Sequence, residues 1–157
     1  MAVVGSSVAS ADELKAAEEV GRRVGERRAV LVCGGLGGAM EAACRGAKAT
    51  GGATLGILPG SDRAEANGHV DIAVATGLGE ARNAIVVGTA DVVIAVGGAY
   101  GTLSEIALAL AVGKQVVGLG TWELAKGGEG VEDIVRAATP AEAVELALGV
   151  PRSHDPG

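Results

Sequence analysis

The sequence has almost no aromatic residues. Its 157 residues include one tyrosine, Tyr100, one tryptophan, Trp122, and no phenylalanine. Modules that grip nucleic acid by stacking its bases need aromatic faces, so that class is disfavoured. The formal net charge of −6 also argues against broad contact with DNA or RNA phosphates. Cysteine is scarce as well. Cys33 and Cys44 form no CxxC motif and no disulfide framework, and they read as two isolated, buried thiols of a reducing compartment. No apolar run approaches the roughly 18 residues that a membrane-crossing helix needs. No positive charge precedes Lys15 and no sufficient apolar core follows the start, so a secretory signal is not expected. The expectation is a cytoplasmic protein with neither a nucleic-acid nor a membrane partner. No spacing of His, Cys, Asp and Glu suggests a metal site, and His69 and His154 stand far apart.

Glycine is what the chain has in excess, at 27 of 157 residues. With few large side chains, the core must come from Val, Ile, Leu and Ala, with backbones packed close. Short Val- and Ile-rich runs occur at Ala2 to Val4, Ala29 to Cys33, Ala53 to Leu58, Asp71 to Ala75, Asp91 to Val96 and Gln115 to Leu119. Most are continuous rather than alternating, the pattern of parallel strands buried on both faces. Helical stretches separate them. The first carries Leu14, Ala17, Val20, Gly21 and Val24 on one stripe. Others cover Ala39 to Lys48, Ala81 to Gly88, Leu103 to Val112 and Ala141 to Leu148, and Val131 to Ala137 reads as one further, weak helix. Capping boxes are expected at Ser10 with Glu13, Thr102 with Glu105, and Thr139 with Glu142, the last followed by Pro140 at the first helical position. Gly60 to His69 is polar and aperiodic, hence a surface loop.

This alternation predicts βαβ units in a single-domain α/β fold, a Rossmann-type doubly wound parallel sheet. The expected strand order is 3-2-1-4-5-6, with the crevice between the first and fourth strands. The domain spans residues 1–150, and 151–157 read as a flexible tail.

Ligands of such sheets bind beyond the carboxyl ends of the strands, and there the glycines cluster. Gly34, Gly35, Gly37 and Gly38 follow the second strand. Thr76 and Gly77 follow the fourth, and Gly98, Tyr100, Gly101 and Thr102 follow the fifth. Each loop leads into a helix whose first amides form a positive dipole end, where glycine lets a phosphate approach. One such loop would be an ordinary tight turn; three on one edge point to an anionic ligand. None is a nucleotide fingerprint. Met40 stands where the dinucleotide pattern needs Gly or Ala, and no GKS or GKT is present. Arg82 and Glu105 begin the helices after the fourth and fifth strands, so adjacent strands would set both over one crevice. Arg82 suits a phosphate or carboxylate, and Asn83 suits a base or ribose. Glu105 either stabilises a cationic transition state or simply caps its helix with Thr102. Tyr100 either stacks on a ring or fills a gap in its loop.

The runs Thr76-Gly77-Leu78-Gly79-Glu80-Ala81-Arg82-Asn83 and Gly98-Ala99-Tyr100-Gly101-Thr102-Leu103-Ser104-Glu105 resemble the LOG-like superfamily. Within it the chain looks most like the bacterial branch related to molybdenum cofactor carrier proteins. Cys33 to Met40 is similar to that family's first glycine loop. Such proteins are often labelled possible lysine decarboxylases. A pyridoxal phosphate enzyme needs a Schiff-base lysine, and none of Lys15, Lys48, Lys114 and Lys126 lies in a glycine loop. The family's enzymes cleave nucleoside 5′-monophosphates into base and ribose 5-phosphate. The resemblance implies that Gly98 to Thr102 hold the phosphate, and that Arg82 and Glu105 are catalytic. Two departures stand out. The enzymes' Pro-Gly-Gly-x-Gly-Thr-x-x-Glu has Gly97 in place of proline and Ala99 in place of the second glycine. Their Arg-Lys pair is Arg82-Asn83. Both departures match the carrier-like branch.

The expected function is a binding or carrier protein for a phosphorylated nucleotide-like or molybdopterin-type ligand. It requires no cofactor of its own, and an AMP-like nucleotide or the molybdenum cofactor is the candidate cargo. The alternative is a nucleoside 5′-monophosphate phosphoribohydrolase. The helix Leu103 to Val112 is apolar almost all round, which predicts a homodimer, or a tetramer, unless Val131 to Leu148 bury it.

Overall fold

The computed structural model describes residues 1–149. The tail 151–157, with His154, lies outside the described residues. Seven strands form one parallel sheet: β1 (Ala2–Gly5), β2 (Leu31–Cys33), β3 (Thr54–Leu58), β4 (Ile72–Ala75), β5 (Val93–Val96), β6 (Val116–Leu119) and β9 (Ile134–Ala137). Two short strands, β7 (Leu124–Lys126) and β8 (Glu129–Val131), make an antiparallel hairpin between β6 and β9. Helices α1 (Ala11–Glu26), α2 (Ala39–Ala49) and α5 (Pro140–Leu148) pack on one face of the sheet, and α3 (Asn83–Thr89) and α4 (Tyr100–Ala111) on the other. The doubly wound parallel α/β fold is the expected one.

The sheet order is β4-β3-β2-β1-β5-β6-β9, which corrects the expected order. The fourth strand does not sit beside the first. It lies at the open edge beside β3, and the winding reverses between β1 and β5. Burial explains the difference. All four residues of β5 are buried, as a central strand requires, whereas β4 alternates and leaves Ile72 63% exposed. A strand with one wet face is cheapest at an edge.

Val131 to Ala137 also departs from expectation. It is not a helix: Ile134 to Ala137 pair with β6, which buries Ile134 and Ala137 and satisfies the backbone groups of that edge. The two cysteines are buried but not isolated, for their sulfurs share a hydrogen bond at 3.5 Å and remain free thiols. The loop Gly60 to His69 holds a single 3-10 turn at Arg63–Glu65. Its Asn67 ties the β2 glycine loop down, donating from Nδ2 to Leu36 O at 2.9 Å and from its backbone N–H to Gly35 O at 2.9 Å.

Capping works as expected at α1, where Ser10 and Glu13 form a reciprocal box. At α5 the Thr139 hydroxyl accepts from the Glu142 N–H, and Pro140 opens the helix, but the Glu142 carboxylate reaches the Ala138 N–H instead of Thr139. At the far end of α3, Lys114 Nζ donates to Val87 O, Gly88 O and Ala90 O, a cation on the negative end of the helix dipole.

The packing of α1 on α2 depends on glycine. A methyl group at Gly21 would stand 1.9 Å from Ala43 O, and one at Gly46 would stand 1.9 Å from Glu18 O. These are backbone atoms of the facing helix, so no side chain can swing away. Gly21→Ala is expected to destabilise by about 2 kcal/mol or more, the upper range for overpacking. Gly88 in α3 meets nothing within 4 Å. Gly88→Ala should instead be neutral or stabilising by up to about 1 kcal/mol. Urea unfolding of the two variants checks both signs.

Candidate functional site

The reversal between β1 and β5 opens the carboxyl edge of the sheet, as in other doubly wound folds. Gly97 and Gly98 follow β5 there, with φ of +53° and +108°, a region that β-carbon-bearing residues rarely enter. Gly97 N–H donates to Leu119 O at 3.0 Å, and Thr121 Oγ1 donates to Gly97 O. Gly98 N–H donates to Glu13 Oε1 at 3.2 Å. Glu13 Oε2 at the same time accepts from Ser10 N–H at 2.7 Å. These backbone donors hold the Glu13 carboxyl below the ordinary range, the Ser10 bond contributing most. A β-carbon on Gly97 would lie 1.8 Å from Glu13 Oε1, so any other residue would push the Glu13 carboxylate aside besides straining φ. A crevice of about 300 Å³ opens here, lined by Glu13, Gly97, Gly98, Gly120, Thr121 and Trp122.

Arg82 and Glu105 meet below this edge by another route than expected. Their strands, β4 and β5, are four steps apart in the sheet, about 19 Å at ordinary strand spacing. The 3-10 turn Gly79–Arg82 and α3 carry the chain back from the edge and bring Arg82 to α4. Arg82 is 5% exposed and Glu105 6%. Arg82 Nη2 lies 3.5 Å from Gly34 O, Nη1 donates to Asn83 Oδ1, and Nε has no partner among the described residues. Asn83 Nδ2 donates in turn to Ser104 Oγ at 3.0 Å. Burial pushes the Glu105 carboxyl up to about 7; the nearby Arg82 charge draws it down, and Glu80 adds to the rise. The two side chains sense each other's charge, yet no ion pair joins them among the described residues.

Glu105 is not a capping residue. Helix α4 begins at Tyr100 with Ala99 as its N-cap, so Thr102 lies inside the helix and is buried against Gly98. No side chain caps α4, and its first-turn amides face the edge.

The first glycine loop reaches the same region. A methyl group on Gly34 would stand 2.6 Å from Arg82 Nη2, which makes Gly34 the contact surface for the guanidinium. Gly35 packs on Leu58, and Gly38 on the Ser6 and Ser7 carbonyls, while Gly37 is open apart from Glu41. Thr76 and Gly77 stand apart at the sheet edge. The Thr76 hydroxyl donates to Leu58 O at 2.6 Å, and Gly77 N–H to Gly60 O at 2.9 Å. Tyr100 is 79% exposed, and its ring centroid lies 5.5 Å from that of Trp122. Gly101 follows it, with only Glu80 near. Among the described residues no group of three metal-ligating side chains occurs.

Three residues at this edge escaped the sequence reading. Glu13 looked like a helix cap and nothing more. Asn67 lay in an aperiodic loop. Trp122 followed a glycine, Gly120, that ends a strand, and that pairing was the one available signal.

A pH effect follows from Glu105. Its folded pKa of about 7 lies above the ordinary 4.5, so its contribution to stability is full below 4.5 and lost as pH rises through 7. The loss is on the order of 3 kcal/mol. Urea midpoints of wild type should fall between pH 5 and pH 8 relative to Glu105→Gln, which lacks the titration.

The chain is similar to several known proteins. A family model, that of the SLOG cluster4 family, matches residues 1–144. An uncharacterised protein of Archaeoglobus fulgidus is 41% identical over 146 residues, 93% of this chain and 92% of its own. The solved molybdenum cofactor binding protein of the phototrophic bacterium Rippkaea orientalis is 37% identical, with a TM-score of 0.83 over 92% of each chain. The molybdenum cofactor carrier protein of Chlamydomonas reinhardtii is 34% identical, with a TM-score of 0.78 over 95% of this chain and 97% of its own. By the extent of these matches and the shared fold, the chain belongs to the SLOG cluster4 family.

Proposed function

We propose that the protein binds and carries a molybdopterin-type or phosphorylated nucleotide-like ligand at the carboxyl edge of its sheet. The observation that carries this reading is the likeness, over more than nine-tenths of each chain, to proteins that bind or carry the molybdenum cofactor. The edge has the means to hold an anion. The uncapped start of α4 offers backbone N–H groups and a positive dipole end. Arg82 supplies a charge already desolvated, with Nε–H unpaired among the described residues. Gly34 lets that guanidinium pack against the loop, where a side chain would displace it. The Gly98 amide is satisfied by Glu13, so the anion sits on the α4 side of the loop.

Gly97 weighs against hydrolysis. The LOG-like enzymes' pattern has proline there, and proline is held near φ −65°. At φ +53° this loop follows a path that proline cannot take. One feature favours the alternative, a nucleoside 5′-monophosphate phosphoribohydrolase: Glu105 is a buried carboxylate beside an arginine, the kind of group that stabilises an oxocarbenium-like sugar. With a pKa of about 7, however, roughly half of it is protonated and uncharged at neutral pH.

The second face of the sheet supports self-association. Ile72 and Val112 are each 63% exposed, and Val74 and Ile85 are also exposed on this side. The stretch Val131 to Leu148 does not bury α4, whose Ala107 and Ala111 remain open. A homodimer through this face, or a tetramer of two such dimers, removes that surface from water. The reading also places the carrier in the cytoplasm, where contacting free thiols persist, and gives it neither nucleic acid nor membrane as partner.

Incubation with AMP and other 5′-monophosphates is expected to release no free base, while at least one raises the melting temperature. A ligand at 100 times its dissociation constant adds about 2.7 kcal/mol. Glu105→Gln should keep that affinity within about twofold. Base release by wild type but not by Glu105→Gln would make the protein a hydrolase. Light scattering at micromolar concentration should give at least the mass of a dimer; a monomer overturns the interface.

A further inference from the structure

The only two aromatic residues of the chain stand together at the crevice. The fully buried core holds neither of them, being built from Val, Ile, Leu, Ala, Cys and Met, and only the half-buried Trp122 packs on its margin. Aromatic side chains are the largest contributors to most cores, so their confinement to a ligand edge is informative. Trp122 lines the crevice and is half-buried. Its indole Nε1 donates to Ala99 O at 3.2 Å, which pins it to the loop that opens α4. Tyr100, the first residue of α4, leans against it with ring planes 34° apart and stays largely in water. Glu13 lines the same crevice, fixed by the Ser10 and Gly98 amides and therefore oriented before any ligand arrives. Each carboxylate oxygen accepts one backbone N–H and has a second lone pair to offer.

We propose that this crevice is a heterocycle subsite, in which Trp122, backed by Tyr100, stacks a planar ring and Glu13 accepts paired N–H donors from its edge. A fixed carboxylate facing a stacked ring selects a 2-amino-4-oxo pyrimidine edge. There an exocyclic amine and a ring N–H lie side by side as two parallel donors. Guanine and pterin rings share that edge. Adenine presents an amine beside a bare ring nitrogen, and the lone pair of that nitrogen would face the negative charge. The same carboxylate turns phosphate away from the floor of the crevice, leaving the anionic end of the ligand to the α4 amides and Arg82. This inference rests on the ligand-binding reading above and gives that ligand its ring class.

Four probes test it: GMP, AMP, neopterin and ribose 5-phosphate, with binding followed by calorimetry. Trp122 is the only tryptophan, so its emission reports the subsite for the two nucleotides. Wild type should bind GMP at least tenfold more tightly than AMP, with a change in Trp122 emission, and should bind neopterin. Glu13→Gln keeps a residue that serves the capping box. It should weaken GMP about tenfold or more and leave AMP within twofold. Trp122→Leu should weaken both nucleotides by at least about fivefold, the low end of a stacking contribution. Equal affinity for GMP and AMP, or a Glu13→Gln variant that spares GMP, overturns the proposal. Ribose 5-phosphate binding as tightly as GMP overturns the ring subsite while leaving the anion site standing. Failure of all four probes to bind overturns the carrier reading and this inference with it.

Discussion

Two helices meet with no side chain between them, and much of the architecture follows from that contact. Gly21 of α1 and Gly46 of α2 each face a carbonyl oxygen of the other helix. The pair can then lie side by side over β1, β2 and β3, with small side chains such as Ala17, Val20, Val24, Ala43 and Ala47 filling the space beneath. Thin helices leave little room for aromatics, which explains a core of small aliphatic residues. They also bring the start of α1, with Glu13, and the glycine loop before α2 to one end of the sheet. The crevice owes Glu13 to this packing.

The charged pair obeys a different constraint. Burying Arg82 and Glu105 without an ion pair between them costs free energy, and the raised Glu105 pKa records part of it. Asn83 and the Gly34 carbonyl repay some of the arginine's cost, but Nε remains unsatisfied among the described residues. Strain of this kind is retained where function uses it. On the carrier reading proposed above, a guanidinium already stripped of water is suited to hold an anion and give it up.

The sheet is dressed unevenly. Three helices cover one face and two cover the other, and the edge strand β4 shows its apolar side chains on the thinly covered face. Glycines thus gather on the crevice side and exposed aliphatics on the second face, the two surfaces proposed above for ligand and for self-association.

Much of this was legible in the residues. Continuous Val and Ile runs identify parallel strands because a strand buried on both faces tolerates nothing polar, and six of the seven were found that way. Glycine clusters after strands mark the carboxyl edge, since only there must backbone turn sharply while staying open to a ligand. The family motif singled out Arg82, Asn83 and Glu105. The strand order was not legible, because Ile72-Ala73-Val74-Ala75 is apolar enough for a central strand and only its neighbours decide that it is an edge. Val131 to Ala137 was misread for the same reason: a short apolar stretch has no period until β6 offers it hydrogen bonds. The Thr102–Glu105 spacing satisfied the capping pattern, but α4 starts two residues before Thr102, and burial gives Glu105 another environment. Local spacing in sequence determined most of the elements, β9 excepted, and where their loops turn. Long-range packing alone decided which of those loops meet, because the partner of Gly98 is Glu13, 85 residues away, and no local pattern encodes that distance.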